Sequence, residues 1–188
     1  MKRKLVAVAL TVSCLSLAAY GTIAYFTAED TAINVITTGN VRIELQETAV
    51  PEDGADPVPF EDVIGVMPGG KVSKIVGVKN TGDKTAYIRI QLEKGLALAE
   101  GTVGEADLGL IGLNIDRENW TEKDGYYYYN EPLAASETTK PLFTEVSFSE
   151  DMSNLYQNSK ATISVKAGAV QTDNNGDSAL EAAGWPEA

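Results

Sequence analysis

Short segments in which apolar and polar residues alternate recur along the sequence, with turn-forming residues between them. Residues 41–45 read VRIEL and residues 86–92 read AYIRIQL. Since successive side chains of a strand point to opposite faces, each segment predicts a strand with one buried face. About eight such strands follow one another at intervals of roughly ten residues, without alternating helices. The pattern predicts an all-β fold, a jelly-roll-like antiparallel β-sandwich with short helical connections.

The residues between segments predict how the strands connect. Residues 72–79 and 86–92 are separated by Asn80-Thr81-Gly82-Asp83, a sequence that favours a tight turn, so we expect a hairpin. The side chains of the second strand that we expect to face the core are Ala86, Ile88, Ile90 and Leu92, and those that we expect to face solvent are Tyr87, Arg89 and Gln91.

A second hairpin is predicted around Asp124-Gly125, the commonest kind of two-residue hairpin turn, with strands at residues 120–123 and 126–129. Further strands are predicted at residues 110–115, 142–148 and 161–170, one helical turn within residues 151–158, and a short helix at residues 178–183.

The start of the chain has the character of an export signal. Three of the first four residues are basic, and the next 22 are almost continuously apolar or small. Signal peptidase requires small residues at positions −3 and −1 of the cut, and Thr22 and Ala24 meet this requirement. We therefore expect residues 1–24 to be a signal peptide that is cut between Ala24 and Tyr25.

Three other interpretations of this segment are weaker. A cut after Gly21 fits the specificity less well. An apolar run of about 20 residues could span a bilayer without being cut, but Ser16 and Tyr20 make its second half a poor anchor. Lipidation at Cys14 is disfavoured because residues 11–13 lack the expected leucine.

Composition excludes several classes of function. The chain has no histidine, and its one cysteine, Cys14, lies in the expected signal peptide. The mature chain therefore has no Ser-His-Asp triad, no thiol nucleophile and no zinc site with His or Cys ligands. Without the signal peptide, 12 basic residues face 27 acidic ones, and the net charge of −15 repels nucleic acid and anionic membranes. We expect no enzyme, cofactor, metal or nucleic-acid partner, and membrane contact only during export.

Residues 25–38 are expected to form an N-terminal arm ahead of a sandwich domain of residues 39–188. No turn signal precedes Gly39-Asn40, so nothing folds the arm back tightly. A strand in this segment could fill a groove left by a missing strand, or it could pair within its own subunit. The candidate donor-strand residues are Tyr25, Phe26, Ile33, Val35 and Ile36.

Five aromatic residues are concentrated in the second predicted hairpin. An accessible aromatic surface would suit sugars or a partner protein. In a strand, however, two of four consecutive tyrosines face the core and two face outward, which favours a core hairpin with an outward pair. The residues of this possible aromatic surface are Trp120, Tyr126, Tyr127, Tyr128 and Tyr129.

Two acidic segments have oxygen ligands of the kind that calcium prefers. Residues 173–177 read DNNGD, but Ser178 and Gly184 stand where a twelve-residue calcium loop requires glycine and an acid. We expect solvated loops in both segments and predict no metal site. The acids of the other segment are Glu52, Asp53, Asp56, Glu61 and Asp62.

Three stretches of the sequence carry a family resemblance. They are GTIAYFT at 21–27 leading into GNV at 39–41; MPGGK at 67–71 leading into VKNTG at 78–82; and DGYYYY at 124–129 followed by PLF at 141–143 and AVQ at 169–171. Together they resemble the TasA/camelysin family of Gram-positive exported proteins, and the resemblance covers nearly the whole chain.

The resemblance implies a jelly-roll fold and removal of the signal peptide by a dedicated SipW-type signal peptidase. It also implies biofilm-matrix fibres in which the mature N-terminal segment of one subunit completes the sheet of the next. The family carries a peptidase label through camelysin. We do not transfer that activity, because a mature chain without His and Cys cannot build a His-ligated zinc centre.

We therefore expect a secreted structural protein of the extracellular matrix or cell surface, a fibre subunit assembled by β-strand donation. Its partner would be a second copy or a related matrix subunit, which satisfies the backbone groups of an open sheet edge. The alternative is a monomeric secreted or wall-associated adhesion module of the same fold. A peptidase is a distant third.

Overall fold

The structure, a computed structural model, describes residues 26–37 and 41–186, with side chains in the second range only. The expected cleavage site between Ala24 and Tyr25 lies outside the described residues. Of the donor-strand candidates, Tyr25 lies outside them entirely, and the other four lie in the range without described side chains. Within the described ranges, no helix is long and apolar enough to cross a membrane.

The described residues form eleven strands and two short 3₁₀ helices, which confirms the prediction of an all-β fold with short helical connections. The 3₁₀ helices are Leu108–Leu110 and Asn154–Tyr156, the second within the segment where one helical turn was expected. The strands are β1 (Phe26–Thr37), β2 (Ile43–Ala49), β3 (Val58–Pro59), β4 (Val63–Val66), β5 (Lys71–Asn80), β6 (Ala86–Ala97), β7 (Ile111–Leu113), β8 (Trp120–Lys123), β9 (Tyr126–Tyr129), β10 (Phe143–Phe148) and β11 (Ser159–Gln171).

The strands form two sheets that pack face to face. Sheet A has the order β4-β1-β11-β6-β9-β8, and sheet B has the order β3-β2-β5-β10-β7. Among the described pairs, all are antiparallel except β1 with β11, which is parallel. The predicted β-sandwich is confirmed, with this parallel pair as its departure from an antiparallel arrangement.

The hydrophobic core lies between the sheets and follows the predicted alternation. Ile88 and Ile90 of β6 and Val165 of β11 are fully buried. Leu92 is half-buried against the same core. Burying an aliphatic side chain of this size contributes roughly 1.5–3 kcal/mol relative to leaving it exposed. The alternation in the sequence therefore identifies the faces of these strands correctly.

The predicted hairpin between β5 and β6 is wrong, because the two strands belong to opposite sheets. Asn80 directs the chain from one sheet to the other. Its side-chain amide donates to the carbonyl oxygens of Lys84, at 2.7 Å, and Leu133, at 3.0 Å, and its Oδ1 accepts from Gly82 N at 3.0 Å. The turn predicted at Asn80 exists, but it connects sheets rather than neighbouring strands.

The second hairpin is confirmed: β8 and β9 pair antiparallel from Trp120↔Tyr129 to Lys123↔Tyr126. Both turn residues have positive φ, 52° at Asp124 and 81° at Gly125. A two-residue turn of this kind matches the twist of the strands, and Asp and Gly tolerate the left-handed region.

The C-terminal segment, residues 172–186, differs from expectation. Residues 178–183 form a hydrogen-bonded turn instead of a helix, with the backbone N–H groups of Glu181 and Ala182 both donating to Ser178 O at 3.1 Å. The segment packs on the outer face of sheet A, so Tyr87 is buried although alternation predicted exposure. The outer cluster formed there consists of Tyr87, Tyr126, Tyr128, Val170, Ala179, Ala182 and Trp185.

Candidate assembly interface

The outer edges of the sandwich are short. Among the described strands, β4 and β8 at the edges of sheet A have four residues each, and β3 and β7 at the edges of sheet B have two and three. Short edges limit uncontrolled pairing with other chains. The long strands lie inside the sheets, and β11 is paired on both sides, with β1 and with β6.

β1 pairs with the longest of the described strands, β11. It pairs in parallel with β11, which has 13 residues, in a register that runs from Phe26↔Ser159 to Thr37↔Ala169. The register shifts between Ala32 and Val35, which marks a bulge or irregularity. On its other side β1 pairs with β4 over the three positions from Phe26 to Ala28. In the described part of the chain, β1 therefore lies within its own subunit's sheet.

Removal of β1 would open the sandwich at this position. The backbone groups of β11 on that side would lose their strand partners, and β4 would lose its strand pairing in sheet A. A buried hydrogen-bonding group without a partner costs about 1–3 kcal/mol. The core-facing residues of β11, among them Ile163 and Val165, would also lose the strand beside them. In the described structure this slot between β4 and β11 is filled by β1.

The aromatic residues divide as a strand requires. Trp120 and Tyr129 are buried in the main core with ring centroids 5.1 Å apart, and Tyr127 packs against that core. The other two, Tyr126 and Tyr128, belong to the outer cluster. An accessible platform of all five residues is therefore wrong: Trp120 is 1% exposed, and Tyr128 and Tyr129 are also buried.

Tyr127 lines a cleft of about 360 Å³ between the two sheets, together with Leu92, Lys94, Ile115 and Glu122. Burial raises the pKa of Tyr127 above its ordinary value, and the nearby Glu122 carboxylate acts in the same direction. The hydroxyl is therefore protonated at neutral pH. The Lys94 ammonium donates to the carbonyl oxygens of Leu108, at 3.1 Å, and Ile111, at 2.8 Å, so it fastens the chain beside the cleft.

The acidic segment of residues 173–177 forms a turn in the described structure, whereas the other acidic segment contains the short strand β3. In the 173–177 loop, the Asn175 amide donates to Gln171 O at 3.0 Å and Ala183 O at 3.1 Å, and its Oδ1 accepts from Ala183 N at 2.8 Å. These bonds close the C-terminal segment against β11. In residues 26–37 and 41–186, no group of three or more His, Cys, Asp or Glu side chains is close enough together to hold a metal ion.

Sequence reasoning missed an ion pair in the core between Lys74 of β5 and Glu47 of β2. The alternation contained a signal for it. Lys74 lies in phase with Val72 and Val76, which face the core, and Glu47 lies in phase with Ile43. Two oppositely charged residues at core positions of paired strands indicate an internal pair.

Comparison with protein-family models, with curated proteins and with solved structures found no significant match to this chain.

Proposed function

We propose that the protein is a secreted structural protein, a subunit of extracellular matrix or cell-surface fibres that assemble by β-strand donation. The observation that supports this most is the position of β1. It is the first described strand, and it fills the slot between β4 and β11 on which sheet A depends. The resemblance of the sequence to the TasA/camelysin family supports the same function.

Exchange of β1 between copies needs no new interface. A β1 strand from a second copy would pair with β11 in the same register and restore the same backbone hydrogen bonds. Such exchange of an identical element is a low-cost route to assembly, and each donor leaves its own slot open for another copy. Five residues, 38–42, connect β1 to β2. When extended, these five residues span about 17 Å, and stacked sheets lie roughly 10 Å apart. The connection is therefore long enough to cross the distance between the two sheets.

The second candidate is a monomeric adhesion or binding module. The observation in its favour is that β1 occupies the slot of its own subunit, which gives a closed sandwich. The two candidates differ in one physical respect, namely whether β1 and β11 of the same sheet belong to one copy or to two.

A pair of cysteines can distinguish them. Thr27 and Lys160 are Cα partners across β1 and β11. Neighbouring strands lie about 4.8 Å apart, within the range of about 4.4–6.8 Å that a disulfide requires. We expect the mature variant T27C/K160C, oxidised after assembly, to give a ladder of covalent oligomers on a non-reducing gel. A single monomeric band with an internal disulfide would favour the adhesion module.

The matched control keeps the cysteine at position 160 and moves the other one. Ala97 and Lys160 are Cα partners across β6 and β11, two strands of one copy in either case. The variant A97C/K160C should therefore give only an internal disulfide. Oligomers from this variant would show that the cross-links arise from random collisions.

We further propose that the protein reaches the cell surface or matrix after a cut between Ala24 and Tyr25 by a SipW-type signal peptidase, and that it is not an enzyme. N-terminal sequencing of the secreted protein should start at Tyr25. Ala24→Lys should block the cut, because the peptidase requires a small residue at −1. Purified mature protein should show no zinc-dependent cleavage of casein, since without His and Cys it lacks the usual ligands of a catalytic zinc. Chelator-sensitive cleavage that stays with the protein through several columns would contradict this.

A further inference from the structure

The C-terminal segment contacts sheet A through its last residues. The indole of Trp185 packs edge-on against Tyr128, with ring centroids 5.6 Å apart and an interplanar angle of 78°. Its Nε1 donates to Ala182 O at 3.0 Å. Further back in the segment, the Tyr87 hydroxyl donates to Gly176 O at 3.1 Å. The segment is thus held on the outer face by aromatic contacts and by hydrogen bonds to its backbone carbonyls.

Arg89 of β6 is the centre of this contact. The guanidinium carbon lies 3.9 Å from the ring centroid of Tyr126 and 4.9 Å from that of Trp185. The Nη2 group donates to the Pro186 carbonyl oxygen at 2.7 Å. Arginine suits this place because its planar cation can stack on aromatic faces while it donates hydrogen bonds in its own plane.

Gly168 of β11 provides the space that the segment needs. A Cβ atom at this position would lie 3.4 Å from Pro186 Cγ and 3.7 Å from Arg89 Cγ, so any side chain larger than a methyl group would displace one of them. Glycine weakens the interior of a strand, and a close approach by another part of the chain is a common reason for its presence there. The glycine forms a notch that Pro186 enters.

The residues outside the C-terminal segment that contact Trp185 and Pro186 belong to strands of sheet A, whereas the segment itself adds no strand to that sheet. The segment has positive φ at Asn174, Gly176 and Gly184. This is the arrangement of a short peptide bound to a domain rather than of another core element.

We propose that the outer face of sheet A contains a peptide-binding site, the Trp-Pro site, formed by Tyr87, Arg89, Tyr126, Tyr128 and Gly168. Its ligand class is a peptide that presents tryptophan followed by proline, and its resident ligand is the chain's own Trp185-Pro186, which leaves reversibly. Tryptophan provides the best aromatic face for the cation. Proline fits the notch and offers its carbonyl to Arg89. This site is separate from the slot of β1 and does not depend on fibre assembly.

The test uses the full mature chain and a synthetic peptide of residues 182–186, Ala-Ala-Gly-Trp-Pro, with an amidated end. We expect the variant Trp185→Ala to stay folded and to empty the aromatic part of the site, which Trp185 occupies in the wild-type chain. We expect saturable binding of the peptide, measured by calorimetry and by the change in peptide tryptophan fluorescence. Binding to the wild-type chain should be at least about tenfold weaker, because the resident tail competes for the site. The peptide Ala-Ala-Gly-Ala-Pro should not bind measurably, since it lacks the aromatic face.

Two further variants locate the site. Adding Gly168→Leu to W185A should abolish peptide binding by filling the notch. Adding Gly95→Leu, a strand glycine of β6 six residues beyond Arg89, should leave binding unchanged. If G168L disturbs the near-ultraviolet circular dichroism spectrum, the variant Arg89→Met in the W185A background takes the place of G168L. We expect this variant to lose peptide binding as well.

Three results would overturn the proposal. W185A could fail to bind the peptide at any accessible concentration. It could bind equally well with and without the R89M or G168L change, which would place the peptide elsewhere. Finally, W185A alone could lose cooperative unfolding in urea, which would make Trp185 a core residue and not a ligand.

Discussion

Lys74 and Glu47 form an ion pair inside the sandwich, with Nζ 2.9 Å from Oε1 and with 2% and 7% of the two side chains exposed. The ammonium also lies 4.0 Å from the ring centroid of Phe60. Charges taken out of water in this way are tolerated because each compensates the other. The pair joins β2 to β5 at a core position that an aliphatic residue would ordinarily occupy.

Lys74→Met should be strongly destabilising, because it leaves the Glu47 carboxylate in the core without its lysine. Breaking a buried pair from one side costs about 3–5 kcal/mol. The double variant K74M/E47L should lose less free energy of unfolding than the two single variants added together, since neither charge stays in the core without the other. Urea unfolding of the three variants provides the measurement.

The control for this prediction is the exposed pair on the same strand. Lys71 Nζ lies 2.9 Å from Glu145 Oε1, but the two side chains are 64% and 35% exposed. Lys71→Met should change the free energy of unfolding by only about 0–1 kcal/mol. If K71M and K74M lost equal amounts of unfolding free energy, burial would not be what makes the Lys74–Glu47 pair important.

Asn80 should tolerate substitution poorly. It is fully buried, and Asn80→Ala would leave the carbonyl oxygens of Lys84 and Leu133 without this donor. Because Leu133 O still accepts from Ala86 N in this variant, we expect a loss of about 0.5–1.5 kcal/mol for each hydrogen bond removed. Asn80→Asp should be worse, because a carboxylate would face two carbonyl oxygens. Thermal unfolding measures both, with the exposed Asn130→Ala as the control. A milder effect of N80D than of N80A would refute the assigned orientation of the amide.

Tyr127 should ionise above the ordinary tyrosine pKa of 10.0, because burial and the Glu122 carboxylate both favour the neutral form. Its folded pKa is raised above its unfolded value. Its contribution to stability is therefore complete below pH 10 and is lost as the pH rises through the folded pKa. Ultraviolet difference spectra of tyrosinate during an alkaline titration provide the measurement. Tyr127→Phe should remove an ionisation that occurs at high pH, after those of ordinary tyrosines. Glu122→Gln should move this ionisation to lower pH. If Y127F instead removed an ionisation at lower pH, the assignment would be wrong.

Deletion of the arm should separate assembly from folding. We expect the mature chain to form fibres or oligomers, and a chain that begins at Val41 to stay monomeric and to unfold more easily. Light scattering under identical conditions measures the first difference, and urea unfolding the second. A peptide of residues 25–37 should restore stability to the shortened chain by filling the slot beside β11. If both chains polymerise alike, the arm is not the donor; if both stay monomeric, the adhesion module is favoured.

The fold could be predicted where the decisive interactions are local. The two-residue period of a strand fixes which side chains share a face, so the burial of Ile88 and Ile90 followed from alternation alone. The assignment of β5 and β6 to different sheets did not follow. It depends on the hydrogen bond from Asn80 to Leu133, which lies 53 residues away in the sequence. Nothing in the turn sequence distinguishes a hairpin from a crossing between sheets.

In the candidate sites, too, the local features could be predicted from the sequence and the long-range contacts could not. Alternation predicted that two of the four tyrosines face the core and two face outward, and in the structure Tyr127 and Tyr129 are the core-side pair. It could not show that the outward pair is covered, because the covering Trp185 belongs to a short tail without periodicity. The place of β1 in sheet A also has no local signal, since its partner strand β11 lies at the other end of the chain.

The parallel pairing of β1 with β11 has a kinetic consequence. Phe26 and its partner Ser159 are 133 residues apart, so the first described strand can pair only after the last described strand has been synthesised. Closing so long a loop is slow. Every new molecule therefore spends an interval in which β1 has not yet paired with β11. The density of neighbouring molecules during that interval, as much as the stability of the finished sheet, would determine whether the strand joins its own chain or another.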